Sequence, residues 1–232
     1  MALVLAESAA MSKATSPIAV VLEVTAKRSF ASATDWPGWT RSGRTPEAAL
    51  ETLAAYANRY RAVATTAGLT LPKVADVESF AVIEEIEGDA TTSFGAPSKV
   101  AAVECQAVTA KDADRVAKLL DAAWAVLDQV VASAQAELRK GPRGGGRDRD
   151  AMFEHVLGAE QAFAGKLGVR ARQPSRDDPA GIQAMREALL AIIREDRTGQ
   201  PARAGGWPPR YGARRLAWHA LDHAWEMQDR SS

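Results

Sequence analysis

RRLAWHALDHAWEMQDR, residues 214–230, is the stretch on which the reading of this chain turns. Its apolar residues recur at helical spacing, and a proline at 209 supplies a start, so a helix is expected from about Pro209 to Asp229. His219 and His223 lie four residues apart. On a helix that places them one turn apart on one face, with Cβ atoms about 5–6 Å from each other. Leu216, Ala220 and Met227 share their stripe, so both imidazoles are expected to point inward. Two imidazoles so placed can converge on one metal ion at distances of about 2.0–2.1 Å. Asp222 adjoins His223. It can orient a ligand imidazole or pair with an arginine at the surface, and the spacing does not choose. Glu226 is expected to pair with Arg230 at i+4. Arg210, Arg214 and Arg215 cluster near the helix start, where they oppose the macrodipole. They suit the carboxylates of a substrate or thiol, but a solvated basic surface is the reading preferred. Trp218 and Trp225 are seven apart, which is packing spacing.

Working outward, three more amphipathic helices precede this one. The first follows Thr109-x-x-Asp112, which reads as a capping box with Asp in the acidic place. Its stripe runs from Val116 through Leu119, Leu120, Leu127 and Val130 to Leu138. The second begins near Asp150 and carries Met152, Phe153, Val156, Leu157 and Phe163. His155 stands three residues after Met152 and four before Ala159, on or near the buried face. Glu160, five residues on, is expected in solvent. The third opens at Asp178-Pro179, a cap followed by proline at the first helical position. Four such helices with moderate connections form a bundle, and metal sites in bundles are built from inward side chains on facing helices. All three histidines of the chain fall on inward faces. A buried histidine is also a common core hydrogen-bonder, so both readings stand on the residues alone.

Before residue 109 the texture changes. IAVVLEV (residues 18–24) is β-branched and apolar, a strand signal, and RSFASAT (28–34) alternates and can pair with it as a hairpin. DWPGW (35–39) is a turn. Thr45-Pro46-Glu47 caps a helix expected to reach Thr66. FAVIEEI (80–86) and VAAVECQAV (100–108) read as further strands, the second holding Cys105 as a small buried side chain. The expected class is therefore α+β: a small α+β domain over residues 17–108, then an all-α four-helix bundle over residues 109–232.

With 47% hydrophobic residues, 232 residues are enough to bury a core. Twenty-nine basic residues balance 29 acidic ones. No global field recommends a nucleic acid or an anionic membrane, and Arg41 and Arg44 form no broad basic stripe. A single cysteine forms no internal disulfide. The apolar run MALVLA at the start is short for a signal peptide, Met11 is an alternative start, and the cytoplasm is the expected compartment. GPRGGGRDRD (141–150) lacks the strand and the Gly-Lys-Ser/Thr of a phosphate loop and reads as a mobile interhelical linker.

RRLAWHALDHAWEMQDR resembles the last helix of the DinB/YfiT-like superfamily, and MFEHVLGAEQAF (152–163) resembles its second helix. The resemblance covers about half the chain. It implies a four-helix bundle that holds a divalent metal through His155, His219 and His223. Members include S-transferases and isomerases that use thiols such as bacillithiol or mycothiol, and others without known activity. A small-molecule substrate or thiol is the implied partner, with zinc, nickel or iron as the metal and a homodimer as a possible assembly. The alternative is a binding or regulatory protein with a structural or ligand-binding metal. ASATDWPGWTRSGRTPEAALETL (31–53) is similar to the HicB-like α+β module, which implies a binding role and no catalysis by itself.

Overall fold

The computed structural model describes residues 16–141 and 146–231. The initial apolar run, Met11 and residues 142–145 of the glycine-rich stretch lie outside the described residues.

The N-terminal part is a four-stranded sheet in the order β3-β2-β1-β4, made of β1 (Ile18–Val24), β2 (Ser29–Ala33), β3 (Thr40–Gly43) and β4 (Phe80–Glu87). The hairpin expected from residues 18–34 is present: β1 and β2 run antiparallel, with Val20 opposite Ala33. β3, which the sequence did not suggest, continues the antiparallel pairing, whereas β4 runs parallel to β1. Parallel pairing needs a crossover, which α1 (Pro46–Ala55) and α2 (Ala57–Thr66) supply. The Thr45 hydroxyl caps α1 by accepting from the Ala48 amide at 3.2 Å. Tyr56 alone separates the two helices, and its amide and carbonyl still bond to Thr52 and Tyr60, so the single helix expected to Thr66 is interrupted by one residue. A short α3 (Ala90–Phe94) follows β4.

The C-terminal part is helical: α4 (Ala110–Ser133), α5 (Arg149–Lys166), α6 (Pro179–Glu195) and α7 (Pro209–Arg230). Every pair among these four is in contact. The Thr109 and Asp178 caps form as expected, accepting from the amides of Asp112 (3.2 Å) and Gly181 (2.9 Å). Helix α4 ends earlier than its apolar stripe does. Leu138 remains buried, but from an extended segment whose amides bond to Asp148 and to the Arg230 carbonyl. None of the helices among the described residues is long and apolar enough to cross a membrane.

Helix α7 is the common wall of the two parts. Every side chain of β2 is buried, because the strand has cover on both faces. Phe30 meets Trp218 of α7 edge-on, with centroids 6.2 Å apart. Trp225 packs on Tyr56 at 5.2 Å. The Trp-Pro-Gly turn seats directly on α7: Gly38 holds φ +90°, and a Cβ there would stand 2.7 Å from the Leu221 Cδ1. Only glycine meets both the backbone angle and the approach.

Residues 100–108 correct the sequence expectation. They form a 3₁₀ turn (Ala102–Cys105), not a strand, and Cys105 is exposed. The cause is Glu104. Its carboxylate accepts from the Ala101 amide at 2.8 Å and takes a two-pronged contact from Arg214, with Nε at 2.6 Å and Nη2 at 2.9 Å. A side chain that bonds its own backbone three residues back competes with extended pairing. Removing one partner of a buried, hydrogen-bonded ion pair costs about 3–5 kcal/mol. Glu104→Ala is therefore expected to lower the urea-unfolding free energy by that amount, and a loss under about 1 kcal/mol would contradict the role given to the pair.

Candidate metal centre

Helix α5 presents His155, and α7 presents His219 and His223 one turn apart. The three rings meet. Centroid distances are 5.0 Å (155–219), 5.1 Å (155–223) and 4.6 Å (219–223). One nitrogen of each lies within 4.8 Å of the other two. Nitrogens around a tetrahedral ion at 2.0–2.1 Å are about 3.4 Å apart, so small ring rotations close the remaining gap. The three histidines are thus close enough to hold a metal ion.

The rings do not hydrogen-bond to one another. Nδ1 of His219 is buried and has no hydrogen-bond partner among the described residues. A core histidine kept for its hydrogen bonds would not leave that nitrogen orphaned. His223 is anchored differently: its Nδ1 lies 3.2 Å from the Glu226 carboxylate, whose other oxygen accepts from Arg230 at 2.8 Å. An ionised carboxylate only accepts, so His223 donates from Nδ1 to Glu226, and Nε2 is the nitrogen left to face an ion. Outer carboxylates of this kind orient metal-bound imidazoles.

Burial works against charge on His155 and His219. Burial, reinforced by the neighbouring histidines, Arg215 and Arg147, pushes the His219 pKa well below its ordinary value. His155 is lowered by burial, then by Arg147 and His223. Glu226 is held low chiefly by its hydrogen bond with His223. Neutral rings are the form that binds metal. Phe163 (5.9 Å from His219) and Trp218 (6.0 Å) wall one side, while His155 and His223 are only half-buried.

Other residues singled out in the sequence stand elsewhere. Asp222 pairs with Arg41 of β3 at 2.8 Å, so the surface-pair reading is the one observed. Glu226 does the orienting that Asp222 was considered for, besides pairing with Arg230 as expected; its signal in the sequence was the i+3 spacing from His223. Arg214 and Arg215 are buried at 5% and 7% exposure, which corrects the solvated basic surface expected of them. Arg214 is bound by Glu104. Glu160 is also buried, against expectation, because Arg186 of α6 reaches across to it at 3.3 Å. A cleft of about 670 Å³ between α4, α5 and α6 is lined by Trp124, Asp128, Phe153 and Arg186, and by none of the histidines.

Comparison with protein-family models, curated proteins and solved structures finds no match to this chain.

Two outcomes follow from the geometry. Losing an outer-shell partner of a metal-bound histidine costs about 10–100-fold in metal affinity. Glu226→Gln is expected to weaken zinc binding by that factor in a chelator competition, and unchanged affinity would show that His223 needs no such support. The second concerns pH. Folded His155 and His219 sit below the unfolded value of about 6.5, so the unfolded chain takes up protons first. Stability of the metal-free chain is then complete above about pH 6.5 and falls as the pH drops through it. Urea midpoints should fall between about pH 7.5 and about pH 5.5, less steeply in His219→Gln. A profile flat over that interval would contradict the neutral cluster.

Proposed function

We propose that this chain is a divalent-metal-binding protein of the DinB/YfiT-like four-helix-bundle kind, which processes a small molecule with the help of a low-molecular-weight thiol as an S-transferase or isomerase. The observation that carries this reading is the meeting of His155, His219 and His223, the residues the resemblance nominated, from two helices and across a sequence separation of up to 68. His155, His219 and His223 would hold a zinc, nickel or iron ion, which would supply the acidification of a thiol or water to a nucleophile near neutral pH. The chain's own part is to hold the geometry. The α7 backbone fixes the spacing of His219 and His223, and Glu226 with Arg230 locks the His223 ring. Phe163 and Trp218 exclude water on one side, and the half-buried side at His155 and His223 admits the ligand.

A second reading has one observation in its favour: the 670 Å³ cleft lies away from the histidines. Under it, the metal serves structure or regulation, and the HicB-like part contacts another protein.

The test is elemental analysis of the purified full chain, followed by a screen of thiols with electrophilic acceptors. The reading expects about one zinc, nickel or iron ion per chain, as one three-histidine site dictates, and loss of both metal and turnover in His219→Ala. Full metal content in that variant would show the site to be misassigned. Metal present with no thiol-dependent turnover would favour the second reading.

A further inference from the structure

Arg215 is the strangest charge in the molecule. It sits on α7 one turn before His219, is 7% exposed, and has neither a carboxylate partner nor a hydrogen bond at Nε or Nη1 among the described residues. Its neighbours are aromatic faces: its guanidinium carbon lies 5.2 Å from the Trp218 ring centre, 5.4 Å from Phe163 and 5.8 Å from Trp207. Among the described residues the other buried arginines are paired, Arg214 with Glu104 and Arg186 with Asp128 and Glu160. A buried guanidinium with orphaned donors costs several kcal/mol unless something supplies the counter-charge, and stacking on rings returns only a part of that. Phe163 and Trp218 are the same two rings that wall His219. The orphaned donors therefore stand beside the histidine centre, on its aromatic side.

The charge balance there points the same way. A divalent ion would add two positive charges to those of Arg215 and the exposed Arg147. Glu226, the carboxylate bonded to the centre, is already shared by His223 and Arg230, and Glu23, whose charge reaches Arg215, is already held by Thr92 and the Ser98 and Lys99 amides.

We propose that Arg215 is the anchor for a carboxylate of the small molecule held at the histidine centre, so that the site selects ligands with an anionic group placed one helical turn from the metal-binding group. The inference rests on the proposed metal reading and sharpens it: the substrate or its thiol is an organic acid. A carboxylate is favoured over a bulkier anion because it is planar and matches the guanidinium fork. The anchor binds and positions; no bond is made or broken at it.

The test uses 3-mercaptopropionate and its neutral amide as probes, on the cobalt-loaded full chain, with thiolate-to-cobalt absorption as the readout. The acid should bind about tenfold or more tightly than the amide, the scale of one charge-assisted hydrogen bond. Arg215→Gln should abolish that preference while cobalt content and the ligand-free spectrum stay unchanged. Arg215→Lys, which keeps the charge but loses the fork, should retain only part of it, and it decides the matter if the glutamine variant does not fold. Equal affinity for acid and amide in the wild type, or a preference that survives in Arg215→Gln, overturns the proposal. Should the chain take up no cobalt, the metal reading fails on its own. Calorimetry of the same two probes on the metal-free chain then decides: an Arg215-dependent preference for the acid upholds the anchor, and its absence removes it.

Discussion

Helix α7 is the element on which everything else leans, because it is packed on nearly every side. Toward the sheet it offers Trp218, Trp225 and Arg214; toward the other helices it offers His219 and His223. Small residues make this possible. Ala213, Ala217, Ala220 and Ala224 are fully buried, and Gly38 lets the Trp-Pro-Gly turn close onto Ala217 and Leu221. A helix so confined cannot roll or slide without breaking contacts on the opposite side. The direction of its two imidazoles is thereby fixed by packing, and His155 needs only the right turn of α5 to meet them.

The electrostatics follow from that confinement. Imidazoles crowded to 4.6–5.1 Å between centroids repel one another if protonated, and burial adds to the penalty. Burial works against charge on His155 and His219, and the His219 Nδ1, with no hydrogen-bond partner among the described residues, is a nitrogen in search of an acid. The polar groups around it divide into two kinds. Some are paired, such as Arg214 with Glu104 and His223 with Glu226. Others are open, among them the His219 Nδ1 and two nitrogens of the Arg215 guanidinium, and these lie together on α7.

Much of this was legible in the sequence, for local reasons. The Thr45, Thr109 and Asp178 caps and the i, i+4 histidine pair are properties of neighbouring residues, and they form as read, as do the helical stripes apart from the end at Leu138 and the break at Tyr56. The misreadings share a different cause. Glu104, Glu160, Arg214 and Arg215 were judged by their charge, and each is buried by a partner or neighbour remote in sequence: Glu104 and Arg214 by each other across 110 positions, Glu160 by Arg186, Arg215 by aromatic rings on α5 and the α6–α7 connection. Burial of a charge is a tertiary fact that no local pattern announces. The strand expected at residues 100–108 failed for the same reason, since β-branched content says nothing of a glutamate that turns back on its own backbone.

X-ray absorption at the zinc edge, on the full chain loaded with one equivalent of zinc, bears most directly on whether the three rings share an ion. The account predicts a first shell containing three imidazole nitrogens at about 2.0–2.1 Å with a fourth light atom. A shell of oxygens alone, or one with a single imidazole, would contradict it.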